Sequence, residues 1–116
     1  MNSISRRSSS GWASPSVARR SRLSFALSAV ADLEAIRAWY AEQQAPEVGD
    51  RLLAEIVAAI ERLADFPLSG RIVPEFALAQ VREIIHPPFR IVYRVGEDRV
   101  RVVRVWRGER QLKLTR

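Results

Sequence analysis

The residues best suited to chemistry are arginines that alternate with apolar and aromatic side chains in the last third of the chain. A guanidinium group binds phosphate or carboxylate oxygens in a bidentate manner and stacks on planar rings. Alternate residues of a strand share a face, so Arg90 lies with Arg94, and Arg104 lies with Trp106. Tyr93 belongs to the opposite face. The pattern predicts a basic sheet surface with aromatic neighbours.

Two interpretations of this surface are open. It can hold phosphates and stack bases, or it can be the solvated outer face of an antiparallel sheet. Under the first interpretation, the residues expected to contact nucleic acid or another target are Arg71, Arg82, Arg90, Arg94, Arg104, Arg107 and Arg110.

Charge is distributed unevenly along the 116 residues. Residues 1–22 carry five arginines and no acidic residue, whereas residues 23–70 carry eight acidic residues against three arginines. Residues 71–116 carry ten arginines and Lys113 against five acidic residues. The basic last third predicts one basic face, which suits nucleic acid or an acidic protein. A GC-rich genome would produce the same excess of arginine over lysine.

Several functional classes have no support in the composition. The chain has no cysteine, which excludes disulfides, thiolate metal sites and cysteine nucleophiles. The single histidine, His86, cannot form a multi-histidine metal site, and its place before two prolines favours a structural role. The acidic residues Asp32, Glu34 and Glu42 fit the polar face of a helix. We expect no cofactor, no metal and no membrane span of roughly 20 apolar residues.

Periodicity and turn residues predict an α+β domain of order β-α-α-β-β-β. Leu23, Phe25 and Leu27 alternate as in a strand, and Ser28 is expected to cap the following helix. Pro46 fits the start of a second helix and Pro67 its end, with a loop over 67–79. Three strands follow, within 81–86, 89–95 and 100–106. We expect an antiparallel sheet with a helical hairpin packed on one face, and the first strand at an edge or inside the sheet.

The first 21 residues are rich in serine and arginine and contain few apolar residues. This composition predicts a disordered basic extension over 1–21 and a folded domain over 22–116. The contrast with the rest of the chain also leads us to expect Val17 to be the natural start, so that residues 1–16 would not belong to the native protein.

A set of motifs spread over about residues 20–112 resembles the ParE/RelE toxin family. Each motif is short, but the motifs follow one another in the family's order and spacing. They are Asp32-Leu33-Glu34-Ala35-Ile36, Ile60-Glu61-Arg62-Leu63-Ala64-Asp65-Phe66-Pro67, Gly70-Arg71, Val81-Arg82-Glu83, Phe89-Arg90-Ile91-Val92-Tyr93-Arg94-Val95 and Val103-Arg104-Val105-Trp106-Arg107-Gly108-Glu109-Arg110.

The resemblance implies a cytoplasmic toxin of a type II toxin–antitoxin system, silenced in a hetero-oligomer by a cognate antitoxin. ParE-like members inhibit DNA gyrase, whereas RelE-like members cut mRNA on the ribosome by general acid–base chemistry. Many relatives carry His-x-x-Arg at the end of the last strand, where this chain has Arg107-Gly108-Glu109-Arg110. Arginine stays protonated and is a poor base, and no tyrosine follows. The ParE-like function, without enzymatic activity, is therefore favoured.

Two alternatives are kept. The first is a RelE-like ribosome-dependent endonuclease, and the second is an inactive homologue that serves only as a binding partner. If the chain is a nuclease, its candidate catalytic residues are Arg82, Arg90, Tyr93, Arg107, Glu109 and Arg110.

Overall fold

Two helices and five strands make up the part of the chain that the computed structural model describes, residues 20–76 and 78–107. Neither helix in these ranges is long and apolar enough to cross a membrane. The elements in chain order are β1 Arg22–Phe25, α1 Leu27–Glu42, α2 Pro46–Arg62, β2 Arg71–Ile72, β3 Val81–His86, β4 Phe89–Gly96 and β5 Arg99–Arg107.

The helices form the predicted antiparallel hairpin over one face of the sheet. Pro46 occupies the first turn of α2, as its fixed φ favours. Gly49 lets the helices approach closely, because a Cβ there would lie 2.8 Å from the Cβ of Tyr40. The apolar stripe of α2 packs on the inner side chains of the sheet and forms the main core. Its most buried members are Ala29, Ile56, Ile60, Leu63, Phe89, Ile91, Tyr93, Val100 and Val102.

The sheet has the order β1-β5-β4-β3-β2 and confirms the predicted α+β fold, with two differences. The strand β1 lies at an edge, but it pairs parallel to β5, in the register Arg22↔Arg99 to Phe25↔Val102. Alternation does not encode strand direction, so the sequence could not distinguish a parallel from an antiparallel pairing of β1. The strand β2 lies in the predicted loop and pairs with β3. A strand of two residues is too short to show the alternation of apolar and polar residues that predicts a strand.

The sheet face opposite the helices is partly covered, so it is not wholly the solvated outer face of the second interpretation. The segment after α2 returns across the face opposite the helices, where Val73, Val81 and Val92 form a second buried cluster. Val103 and Trp106 pack against this cluster. The second cluster therefore removes from solvent part of the face on which the arginines were expected.

The start of the described chain is attached to the domain. Ser21 donates from its backbone N to the Ala64 carbonyl at 2.8 Å, and Arg20 pairs with Asp65 at 2.9 Å. These two residues were assigned to the extension by composition. The expected disorder of residues 1–19 and the expected start at Val17 lie outside the described residues.

Candidate functional site

Arg90 lies on the same face as Arg94, as the alternation predicts, but its predicted exposure is wrong. Its side chain is 2% exposed and donates to Oε1 of Glu83 from Nε at 2.6 Å and from Nη2 at 2.5 Å. Glu83 is itself fully buried, and its other oxygen accepts from Arg71 at 2.5 Å. Glu75 lies 3.7 Å from Arg90. These contacts give Arg90 and Arg71 a structural role.

Arg82 and Tyr93, both candidate catalytic residues, hold the segment that follows α2. Arg82 donates to the carbonyls of Gly70 at 2.9 Å and Ala79 at 3.1 Å. The hydroxyl of Tyr93 donates to the Pro67 carbonyl at 2.8 Å and accepts from the Gly70 backbone N at 2.9 Å. Burial raises the pKa of Tyr93. The uncharged hydroxyl therefore holds this segment in place through hydrogen bonds and is not an accessible acid or base.

Gly70 lies against Glu83 and Tyr93 at a position where no side chain fits. A Cβ on Gly70 would lie 2.5 Å from the Glu83 carbonyl oxygen and 2.6 Å from the Tyr93 hydroxyl. Both distances are far below van der Waals contact, and the Glu83 atom belongs to the backbone, which cannot rotate away. Glycine is therefore required for the loop to meet the sheet at this point.

Two exposed arginines face each other across β4 and β5. Arg94 pairs in register with Arg101. The Arg94 side chain makes no hydrogen bond or ion pair within residues 20–76 and 78–107, and that of Arg101 donates there only to Ser24 Oγ at 3.3 Å. Sequence reasoning missed Arg101, although its alternation with Val100 and Val102 could have revealed it. These guanidinium groups are accessible to an anionic partner.

Arg104 is tied to α1 at an irregularity in β5. The register moves from Val92↔Arg104 to Tyr93↔Val102, which leaves Val103 as an additional residue. Asp32 accepts from Arg104 at 2.7 and 3.0 Å and from the Val105 backbone N at 2.8 Å. The hydrogen bond to Asp32 raises the pKa of Arg104. The sequence placed Asp32 on a polar helix face and gave no sign of this role.

Ser28 takes part in the same junction and does not cap α1 as predicted. The helix begins at Leu27, with Ala26 at the N-cap and no side-chain cap. The hydroxyl of Ser28 instead donates to the Val103 carbonyl at 2.7 Å. Since β1 pairs with β5 only as far as Val102, the first turns of α1 bind the part of the β5 edge that β1 does not reach.

Arg107 ends β5 beside aromatic side chains. Its Cζ atom lies 5.7 Å from the ring centre of Trp39 and 5.8 Å from that of Phe89, within cation–π range. A cleft of about 370 Å³ opens here between α1 and the strands, also lined by Ile36 and Tyr40. The remaining predicted site residues, Glu109 and Arg110, lie outside the described residues.

The described residues contain no group of three histidine or acidic side chains that could hold a metal ion. His86, predicted to be structural, contacts Glu55 of α2 through Nε2 at 2.9 Å. The contact ties the end of β3 to the helical hairpin.

Comparison with known proteins places this arrangement in a family. Residues 23–112 match the model of the ParE toxin of the type II toxin–antitoxin system parDE. The chain is 37% identical over 78 residues to Toxin RelE2 of Caulobacter vibrioides, covering 66% of this chain and 83% of that protein. It is 32% identical over 94 residues to the putative toxin Y4kP of Sinorhizobium fredii, covering 79% and 93%.

Solved structures agree with this assignment. A chain of the chromosomal ParDE toxin–antitoxin system of P. aeruginosa superposes with a TM-score of 0.65 at 25% identity, covering 78% of this chain and 98% of that one. A chain of the RelBE2 toxin–antitoxin complex of Mycobacterium tuberculosis shares the fold, with a TM-score of 0.57 at 23% identity and coverage of 78% and 95%. The chain is therefore a toxin of the ParE/RelE family of type II toxin–antitoxin systems.

Proposed function

We propose that this toxin inhibits DNA gyrase in the manner of ParE, without being an enzyme, and that a cognate antitoxin neutralises it in a cytoplasmic hetero-oligomer. The observation that carries the proposal is that three of the six candidate nuclease residues are held in structural contacts. Arg90 is buried on Glu83, Arg82 is bound to loop carbonyls, and the Tyr93 hydroxyl is hydrogen-bonded to two backbone groups.

Ribonuclease chemistry needs groups that exchange a proton near pH 7. Arginine does not lose its proton, and burial raises the pKa of Tyr93 further from neutrality. A toxin that acts by binding has no such requirement. It needs an exposed complementary surface, and Arg94, Arg101 and Arg107 supply exposed positive charge. We therefore assign target contact to these three arginines, with Arg110 as a further member of the predicted set. The other predicted member, Arg104, is bound to Asp32.

A second candidate function is the ribosome-dependent mRNA endonuclease. One comparison favours it, since the relative at 37% identity is named Toxin RelE2. In this alternative Arg107 stabilises charge at the phosphate and Glu109 acts as the base, with Arg110 binding phosphate. The third candidate, an inactive homologue that only binds a partner, predicts expression without arrest of growth.

The test is a supercoiling assay with purified gyrase and relaxed plasmid, run beside a ribosome-dependent mRNA cleavage assay. We expect inhibition of supercoiling, with loss of inhibition in Arg94→Ala/Arg107→Ala. The matched control is Arg37→Ala/Arg62→Ala, which removes the same charge from the exposed surface of the helices. Translation-dependent cuts in mRNA that Glu109→Gln abolishes would overturn the proposal in favour of the endonuclease.

A further inference from the structure

The outer face of the helical hairpin carries a groove of about 470 Å³ between α1 and α2. Leu53 and Val57 of α2 give it an apolar wall, and the Val57 side chain is 37% exposed, so the groove is open to solvent. Asp50, near the start of α2, pairs with Arg37 of α1 at 3.5 Å, and Glu61 lies near the end of α2. The groove therefore combines apolar side chains with a carboxylate at each end.

The hairpin that forms this groove is acidic. Residues 27–62 carry seven acidic residues against three arginines. The Glu61 backbone carbonyl accepts from Arg20, but its carboxylate makes no hydrogen bond or ion pair within residues 20–76 and 78–107. Two copies of the toxin that met through this face would bring like charges together, which opposes such a contact. The groove therefore favours a basic occupant over a second hairpin.

The chain itself enters the domain at one end of the groove. Arg20 donates to the Glu61 carbonyl at 3.4 Å and pairs with Asp65 at 2.9 Å. The backbone N of Ser21 donates to the Ala64 carbonyl at 2.8 Å. These contacts fix the start of the described chain beside Glu61, so the residues before Arg20 leave the domain at this end of the groove.

The segment before Arg20, residues 1–19, has the composition that the groove favours. It contains three arginines and no acidic residue. Its apolar residues include Trp12 and Val17. Its positive charge complements the acidic hairpin, and these side chains suit an apolar wall.

The same segment is long enough to follow the whole groove. An α-helix rises about 1.5 Å per residue, so Asp50 lies about 16 Å along α2 from Glu61. An extended chain spans about 3.3 Å per residue, so five or six residues before Arg20 cover this distance. Residues 12–19 therefore suffice.

We propose that residues 12–19 form an arm that lies along this groove in the same direction as α2. Val17 packs near Val57, and Trp12 stacks on the Arg37 guanidinium at the far end. The bound arm shields the exposed apolar side chains of the hairpin and neutralises part of its negative charge. It lies outside residues 23–112, which match the family model, so the inference goes beyond the proposed function. It requires residues 1–16 and is therefore contrary to a natural start at Val17.

Disulfide trapping in the full-length chain tests the arm, because the chain has no cysteine of its own. Ser16→Cys is combined with Ala54→Cys in the groove, and the control is Ser16→Cys/Glu97→Cys. Glu97 is also within reach, since the neighbouring Asp98 carbonyl accepts from the Arg22 backbone N at 2.9 Å. Under mild oxidation the groove pair should form its intramolecular disulfide about tenfold or more faster, because docking raises the effective concentration of the two thiols.

A charge reversal tests the electrostatic part of the contact. Glu61→Lys, added to the groove pair, should slow trapping to the rate of the control, because a basic arm then meets a basic groove end. The matched variant Glu97→Lys makes the same change of charge away from the groove and should leave trapping unchanged. Circular dichroism verifies the fold of each variant.

Three results would overturn the inference. The first is an equal rate of trapping in the groove pair and the control, and the second is trapping that Glu61→Lys leaves unchanged. The third is a natively expressed protein whose intact mass shows a start at Val17, whereas a start at Met1 supports the arm. None of these results bears on gyrase inhibition, which the supercoiling assay measures separately.

Discussion

The buried Glu83 carboxylate binds two arginines, the buried Arg90 and the exposed Arg71. Its carboxylate lies within 2.5 Å of both Arg71 and Arg90, and Arg90 is 2% exposed. Removing one partner of a buried pair leaves an uncompensated charge, which costs more than the pair contributes. Glu83 is therefore the main counter-charge that allows Arg90 to be buried, with Glu75 farther away at 3.7 Å.

We expect Glu83→Gln to lower the free energy of unfolding by about 3 kcal/mol. Urea denaturation followed by tryptophan fluorescence measures this change. The control is Asp65→Asn, which breaks the exposed pair with Arg20 and should cost less than about 1 kcal/mol. Equal losses in the two variants would show that Arg90 does not depend on Glu83.

The Tyr93 hydroxyl should affect both stability and its dependence on pH. Tyr93→Phe leaves the Gly70 backbone N without its acceptor, at a cost of about 2 kcal/mol. Burial raises the pKa of Tyr93 above the unfolded value of 10.0. The folded state thus holds this proton more tightly, and its contribution to stability is complete below pH 10.0 and is lost as pH rises through the folded pKa.

Thermal unfolding between neutral pH and the alkaline range checks this prediction. The wild type should lose stability above its unfolded tyrosine pKa, and Tyr93→Phe should lose less over the same interval. A Tyr93→Phe profile parallel to that of the wild type would refute the role of this hydroxyl.

At the scale of elements, α1 supports the last strand where β1 ends. Asp32 binds Arg104 and the Val105 backbone N, and Ser28 binds the Val103 carbonyl. Asp32→Ala removes the acceptor of charge-assisted bonds and should cost about 2 kcal/mol. Glu34→Ala, the exposed neighbour on the same helix, should change stability by less than about 0.5 kcal/mol. Urea denaturation measures both, and indistinguishable values would exclude Asp32 as the link.

The sequence could predict most helices and strands, but not which segments pack over which side chains. The periods of Val48 to Leu63 and of Phe89 to Val95 identify a one-sided helix and an alternating strand. Alternation also predicts that Arg90 and Arg94 share a face. It cannot predict that the segment after α2 covers one of them and not the other, because that depends on contacts such as Val73 with Val92. The sequence likewise gives no sign of the additional residue in β5.

At the scale of the whole molecule, the acidic helices and the basic last third separate charge along the chain. An acidic partner should therefore bind mainly through the sheet side. We expect affinity for the antitoxin to fall as the salt concentration rises from roughly 0.05 to 0.5 M. Over this range the Debye screening length falls from above about 10 Å to below about 8 Å. Arg94→Glu/Arg101→Glu should flatten this dependence. A salt dependence unchanged by that variant would place the charged contact elsewhere.

We propose that the toxin acts by binding gyrase and not by cutting RNA. This proposal is tested most directly by inducing the toxin in a bacterium and determining plasmid topology and mRNA integrity in the same culture. The proposed function predicts arrest of growth with altered plasmid supercoiling, DNA breaks and intact mRNA. Arrest with rapid, translation-dependent cleavage of mRNA and unchanged supercoiling would contradict it.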